Sequence, residues 1–275
     1  MGFILWSFKM SKIIYDLPNS EYHASPAISK SGLDKIALSP AHFKADQEQE
    51  IKSDSDILIF GSAFHDYILL PEIFQIKYAV LEKDFSGTTK KGKEILSKLR
   101  SANKVILKYE WMNTIEGMAK AISEHSKASI LLQGGKPEVS IFWIDPDTGL
   151  ECRCRPDYIH STGIIVDLKS TLNASPKAFA KAVANYRYHV QDAFYSEGYR
   201  QATGFYPKGF VFVAVEKNPP YAVACYELDQ EAKAHGRFLY EENLNTLLKA
   251  KTTNIWTAYS SDIETLNLPP WAYKI

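Results

Sequence analysis

Cysteine is scarce: this chain of 275 residues holds three, Cys152, Cys154 and Cys225. So small and odd a number argues against a disulfide framework and fits a reducing compartment. Cys152 and Cys154 form CxC rather than CxxC, and no later pair completes a zinc or iron–sulfur set, so all three read as structural. Net charge is absent as well. The 32 Lys and Arg balance 32 Asp and Glu. No global field draws an acidic partner, and any contact with nucleic acid needs basic residues gathered in one place. Long apolar runs are missing. The opening "MGFILWSFKM" is too short to span a bilayer and lacks the basic flank and small-residue cleavage site of a signal peptide. It reads as an arm over residues 1–12, or as extra residues ahead of a natural start at Met10. There is no internal repeat and no low-complexity linker. A soluble cytoplasmic protein is expected, with one domain over residues 13–275 and one sizeable core.

What is present is a change of hydrophobic period. Residues 29–47 read as two helices interrupted at Ser39-Pro40, with Ser29 or Ser31 as the first cap. Residues 48–56 are polar and read as a loop. The stretch "ILIFGSAFHDYILLP" carries Ile57, Phe60, Phe64, Ile68 and Leu69 as an approximate helical stripe, ended by Pro71. A basic segment over 86–104 begins as a loop and continues as a helix; 110–132 reads as one amphipathic helix. Strands follow at 136–145, 150–159 and 164–171. The short turns "PDTG" and "HSTG" between them make these strands antiparallel neighbours. One long helix is expected over 175–204, capped by Ser175 and Pro176 and closed by Gly204. Strands at 209–217 and 221–228, a helix at 229–251 and an irregular aromatic tail complete the order. It is that of an α/β domain with a central mixed β-sheet flanked by helices.

One strand is anomalous. "IIVDLKST", residues 164–171, is apolar except for Asp167 and Lys169, which alternate onto one face while Val166 and Leu168 pack on the other. The preceding strand ends in "RPDY", which brings Asp157 beside Asp167. Two adjacent carboxylates repel unless a cation lies between them, and a divalent ion with oxygen ligands supplies one. Lys169 would then hold a water or stabilise charge on a phosphate. Taken alone, Asp167 and Lys169 would equally make a buried salt bridge.

Pro-Asp, then nine residues, then Asp-Leu-Lys resembles the motif of the PD-(D/E)xK, restriction-endonuclease-like nucleases. "GSAFH", with His65, resembles the GxxxH motif of the exonuclease branch, and "QDAFY", with Gln191 and Tyr195, resembles its QxxxY motif. Together with "AISKSGLDKIALSPAHFK" and "PEVSIFW", the ordered set is similar to the RecE-type exonucleases (exodeoxyribonuclease VIII and the YqaJ-like phage nucleases). The resemblance covers residues from about Tyr22 to Tyr199.

That resemblance implies a Mg²⁺-dependent exonuclease, with Mn²⁺ as a substitute, acting on the ends of linear double-stranded DNA. It implies 5′→3′ digestion, a homo-oligomeric ring (tetramer or trimer) and a RecT-like single-strand annealing partner in a bacterium or phage. Asp157, Asp167, His65 and the Leu168 carbonyl would be metal ligands, and Lys169 the catalytic lysine. Glu138 is either a further ligand or a solvated strand-start residue. Gln191 and Tyr195 would orient DNA or water, with helix packing as the other reading of Tyr195. Lys90, Lys91, Lys93, Lys98 and Arg100 are candidate contacts to the DNA backbone. Arg153 and Arg155 join them if their strand keeps its alternation past Pro156. Competing readings are a structure-specific or Cas4-like endonuclease, a non-catalytic DNA-binding protein, and a two-carboxylate glycoside hydrolase, which would need neither Lys169 nor metal.

Overall fold

The structure, a computed structural model, describes residues 11–48 and 55–273. Most of the expected arm and most of the 48–56 loop lie outside the described residues. The chain begins with β1 (Lys12–Ile14), α1 (Asn19–Ala24), α2 (Lys30–Leu38) and α3 (Pro40–Glu48). Ser29 caps α2, its hydroxyl accepting from the Gly32 N–H at 3.4 Å. Next come α4 (Asp56–Leu69), α5 (Pro71–Lys77), β2 (Tyr78–Val80), α6 (Lys90–Ser101) and β3 (Val105–Leu107). Pro71 ends α4 and at once starts α5 as a first-turn proline. Ile57 departs from the expected stripe, being 73% exposed, while Phe60, Phe64 and Leu69 are buried.

The helix expected over 110–132 is two, α7 (Tyr109–Glu124) and α8 (Ala128–Leu131). His125 causes the break: its Nδ1 accepts from the Ala128 N–H at 3.2 Å and starts the second helix. Two of the expected strands are also divided. Residues 136–145 form β4 (Lys136–Pro137) and β5 (Ser140–Ile144), and residues 150–159 form β6 (Glu151–Cys154) and β7 (Tyr158–Ile159). β8 (Ile164–Thr171) is continuous. The helix expected over 175–204 is divided into α9 (Pro176–Asn185) and α10 (Tyr188–Thr203), because Arg187 takes a left-handed conformation with φ 54°. Gly204 closes α10 at φ 83°, the conformation a glycine cap supplies. β9 (Gly209–Glu216), β10 (Val223–Tyr226) and α11 (Gln230–Thr253) complete the order.

Five strands form a mixed sheet in the order β10-β9-β8-β7-β4. β8 and β9 run parallel; the other pairs are antiparallel. β1, β5 and β6 form a second, antiparallel sheet, and β2 pairs with β3 in parallel. The two broken strands thus pass from one sheet into the other side by side. Both faces of the larger sheet are covered. Val166, Leu168, Val213 and Val215 pack on α4 and α7 through Phe64, Ile115 and Met118. Ile165, Phe210, Phe212 and Ala214 pack on Phe179 and Val183 of α9. α2, α10 and α11 close over β5 and β6 around Trp143, Phe194 and Leu244, with Cys152 and Cys154 as free thiols in that core.

Candidate active site

The site is built where the hairpin strands break. Glu138 lies between β4 and β5 with φ 48°, uncommon for a residue with a side chain and a form of strain that gathers at functional sites. Its N–H donates to the Asp157 carbonyl at 2.9 Å, so the two breaks hold each other. Asp157 precedes β7. Continuing the register of Tyr158 with Val166 and Ile159 with Ile165 would set it opposite Asp167. The ladder stops there instead, and the Asp157 Oδ2 accepts the Leu168 N–H at 2.8 Å. N–H and C=O of one strand residue share an edge, so the Leu168 carbonyl faces the same edge as this carboxylate.

His65 reaches the same point from α4. That helix is capped by Ser55 and anchored through Asp66, which accepts from Lys77 Nζ at 2.8 Å and from the Tyr78 hydroxyl at 2.7 Å. Phe64 turns into the core and leaves His65 Nδ1 3.4 Å from Asp157 Oδ2. Gly61 shares the His65 face of the helix, and a methyl group there would meet nothing within 4 Å. The motif glycine therefore keeps open the surface beside the histidine.

One ligand atom each of His65, Glu138 and Asp157 lies within 4.8 Å of the others. Ligands of one ion at about 2.0–2.2 Å stand up to roughly 4.4 Å apart, so only a slight closure is needed. Carboxylates suit Mg²⁺, Ca²⁺ or Mn²⁺ and an imidazole suits Zn²⁺, Fe or Ni, so the residues fit a divalent metal without selecting one.

Asp167 and Lys169 share the face that looks toward α10. Asp167, 1% exposed, pairs through Oδ1 with the Lys169 ammonium and accepts from Gln191 Nε2 through Oδ2. Gln191 thus holds the Asp167 carboxylate through its Nε2. Tyr195, one turn on, packs between two core clusters. Lys169 also lies 4.6 Å from the centroid of the Tyr188 ring. Tyr188 carried no sequence signal, because only the unforeseen break at Arg187 brings it here.

Titration follows the geometry. Burial alone would lower the His65 pKa, but Asp157 outweighs it and raises it to about 9. Burial, then the charge of Asp157, pushes Glu138 up to about 7 against His65 and Arg155. Burial pushes Asp167 up to about 6 although Lys169 opposes it. Asp157 lies below its ordinary value: burial opposes ionisation, but His65, Lys169 and the Leu168 N–H prevail. Burial disfavours the Lys169 charge, yet Asp167 and Asp157 hold its pKa above normal. The two aspartates therefore keep Lys169 protonated.

Arg153 does not face the site, and Arg155 reaches it only at Glu138. Arg153 is buried, donating to the Tyr22 carbonyl and stacking 4.7 Å from that ring's centroid. Arg155 ties down the N-terminal segment through Ser140 Oγ at 2.9 Å, the Leu17 carbonyl at 3.0 Å and Asn19 Oδ1 at 3.2 Å. It stands 4.0 Å from Glu138 and steadies that carboxylate. The cause is the segment from Leu17 to Tyr22, which covers this edge. Lys90, Lys91, Lys93, Lys98 and Arg100 are exposed on α6. No helix among the described residues is long and apolar enough to cross a membrane.

A family model described as a PDDEXK-like domain of unknown function (DUF3799) matches residues 29–269. A crystal structure of a Eubacterium rectale protein, provisionally described as an exonuclease, superposes with a TM-score of 0.60 at 16% identity, covering 87% of this chain and 88% of that one. A second solved structure, of SSO0001, has a TM-score of 0.30 at 13% identity over 70% of this chain and 86% of that one, too low to support an argument. No curated protein matches in sequence.

Proposed function

Because the chain belongs to the family of PDDEXK-like domains of unknown function, we propose that it is a metal-dependent nuclease, and more narrowly an exonuclease that digests linear double-stranded DNA 5′→3′. One observation carries the hydrolytic reading: His65, Glu138 and Asp157 converge on a common point beside the Asp167–Lys169 pair. The narrower reading is supported by the ordered likeness to RecE-type exonucleases. On that reading the 3′ strands left behind feed strand annealing by a RecT-like partner, in the cytoplasm of a bacterium or a phage-infected cell. A ring of subunits, basic inside and acidic outside, would reconcile DNA binding with zero net charge.

Mg²⁺, or Mn²⁺ in its place, would be held by Asp157, Asp167, His65 and the Leu168 carbonyl, with Glu138 as a further ligand. When bound, such an ion supplies a Lewis acid for phosphate oxygen and makes a water a better nucleophile. The chain does the rest. To hold an ion, His65 would release its ring proton to solvent and offer the freed nitrogen lone pair. Lys169, kept charged by its two aspartates, donates to the attacking water or to the oxygen that gains charge in the transition state. Gln191 holds Asp167 in one rotamer, and Arg155 steadies Glu138.

The test uses linear duplex DNA labelled at the 5′ or the 3′ end, with closed circular plasmid beside it. Each is incubated with Mg²⁺, with EDTA, and with the Lys169→Ala protein. Early Mg²⁺-dependent release of the 5′ label, an intact circle and an inactive variant are expected. Cut circles would replace the exonuclease by an endonuclease of the same superfamily. Folded protein that cuts no DNA would overturn the assignment, and full activity in EDTA would point to metal-free chemistry.

A further inference from the structure

The hinge between α9 and α10 carries two aromatic rings that the proposed chemistry does not use. Tyr186 and Tyr188 flank the left-handed Arg187, and their rings stack with centroids 5.6 Å apart at 26°. The inner ring, Tyr188, is backed by Phe212 at 5.8 Å and 26° and receives the Lys169 ammonium 4.6 Å from its centroid. The outer ring, Tyr186, is 63% exposed. Tyr188 packs against the core cluster around Phe179, whereas Tyr186 is not part of it. The ladder therefore runs from the core, past the catalytic lysine, into solvent.

Its position is fixed. Arg187 donates to the Leu33 carbonyl and Asp34 Oδ1, both at 3.3 Å, and to Asn243 Oδ1 at 2.6 Å. Lys30 donates to the Tyr186 carbonyl at 2.7 Å, pairs with Asp34 at 2.6 Å and stands 6.0 Å from the Tyr188 centroid. A non-glycine residue held left-handed by so many partners marks a place where the fold insists on one conformation. What it presents is one flat ring in water, Tyr186, stacked on a second, Tyr188, that has two ammonium groups beside it. Single-stranded nucleic acid has the matching chemistry: phosphates for the cations and a flat base for the ring.

We propose that Tyr186 and Tyr188 form a stacking step for the nucleobase next to the phosphate held at Lys169, so that the strand to be cut enters the site with an unpaired base. Tyr186 is then a substrate-positioning residue, and the substrate at the point of cleavage is a frayed or single-stranded DNA end. This rests on the nuclease reading above.

The experiment compares the full chain with Tyr186→Ala, Tyr186→Leu and Tyr186→Trp, each checked for an unchanged melting curve. One readout is KM and kcat on linear duplex DNA with Mg²⁺. The other, independent of cleavage, is the fluorescence of 2-aminopurine in the terminal positions of an oligonucleotide titrated in EDTA. Tyr186→Ala and Tyr186→Leu are expected to raise KM about tenfold with a smaller change in kcat and to lose the fluorescence quenching, while Tyr186→Trp retains both. Ala and Leu variants that match wild type in KM and quenching would overturn the proposal, leaving the nuclease intact. A fall in kcat alone, with quenching unchanged, would overturn it too, since the ring would then act through the hinge. Tyr186-dependent quenching by a protein that cuts no nucleic acid would leave the stacking step standing while the nuclease reading falls. Neither cutting nor quenching would remove both.

Discussion

His65 Nδ1 stands 3.4 Å from Asp157 Oδ2, joining a core helix to the break between two sheets. Asp157 is the residue on which His65, the Leu168 N–H and, through its own carbonyl, Glu138 converge. The pair also sets the condition for metal binding. With a pKa raised to about 9, His65 holds a proton at neutral pH, and an ion must displace it.

Metal should therefore stabilise the folded protein through Asp157. At a hundred times its dissociation constant a ligand adds about 2.7 kcal/mol. In a chain of this size that is roughly 5–10 °C in Tm. Differential scanning fluorimetry with Mg²⁺ and Mn²⁺ should show this rise in wild type, a weaker one in His65→Ala and none in Asp157→Asn. An unchanged rise in Asp157→Asn would place the ion elsewhere.

Lys169 should matter for rate more than for binding. Removing one preorganised charge donor costs about 10²–10³ in kcat, so Lys169→Met should fall by that factor with KM within a few-fold. Lys169→Arg should not restore the rate, because the wider guanidinium fork cannot occupy the place of a compact ammonium between Asp167 and the Tyr188 ring. Single-turnover kinetics on a short duplex would separate the two constants. An Arg variant with wild-type kcat would show that charge alone suffices.

Gly61 separates openness from fold. It lies inside α4 with free space around it. Alanine there should stabilise the helix by roughly 0.5–1 kcal/mol and leave activity within a few-fold. Tryptophan should also fold, yet shield His65 and lower cleavage. Melting curves and initial rates decide it, and a fully active Gly61→Trp would mean that substrate does not approach over this face.

The parts of the site that neighbours in sequence create were legible. Asp157, Asp167 and Lys169 follow from two strands joined by a short turn, which brings the two acids near each other even though the ladder ends before Asp157. His65 needed its motif, since a histidine on an apolar helix says little by itself. The rest depends on contacts between distant segments. Arg187 breaks a helix with no glycine or proline to announce it, because Asp34 and Asn243 hold its side chain. Arg153 and Arg155 alternate as a strand should, but the pattern cannot reveal that residues 17–22 fold over them. Glu138 follows Pro137, a local sign of a strand break, yet its pairing with Asp157 appears only once both strands change sheets.

Asp192 supplies a pH dependence of its own, outside the His65, Glu138 and Asp157 cluster, although the charge of Asp167 contributes to it. It is 2% exposed; Ser196 Oγ donates to its Oδ1 at 3.2 Å, and its Oδ2 has no hydrogen-bond partner among the described residues. Burial raises its pKa to about 7, although Lys233 opposes the shift. In the unfolded chain an aspartate titrates near about 3.9. Between about pH 4 and 7 the folded protein therefore binds more protons than the unfolded one, and stability falls as pH rises through that window. Asp192→Asn cannot ionise and escapes the loss. Its Tm should exceed that of wild type at pH 8, and the gap should narrow below pH 7 and close towards pH 4. A wild type more stable than the variant at pH 8 would mean that Lys233 holds Asp192 as an anion and that the unpaired oxygen is satisfied by water.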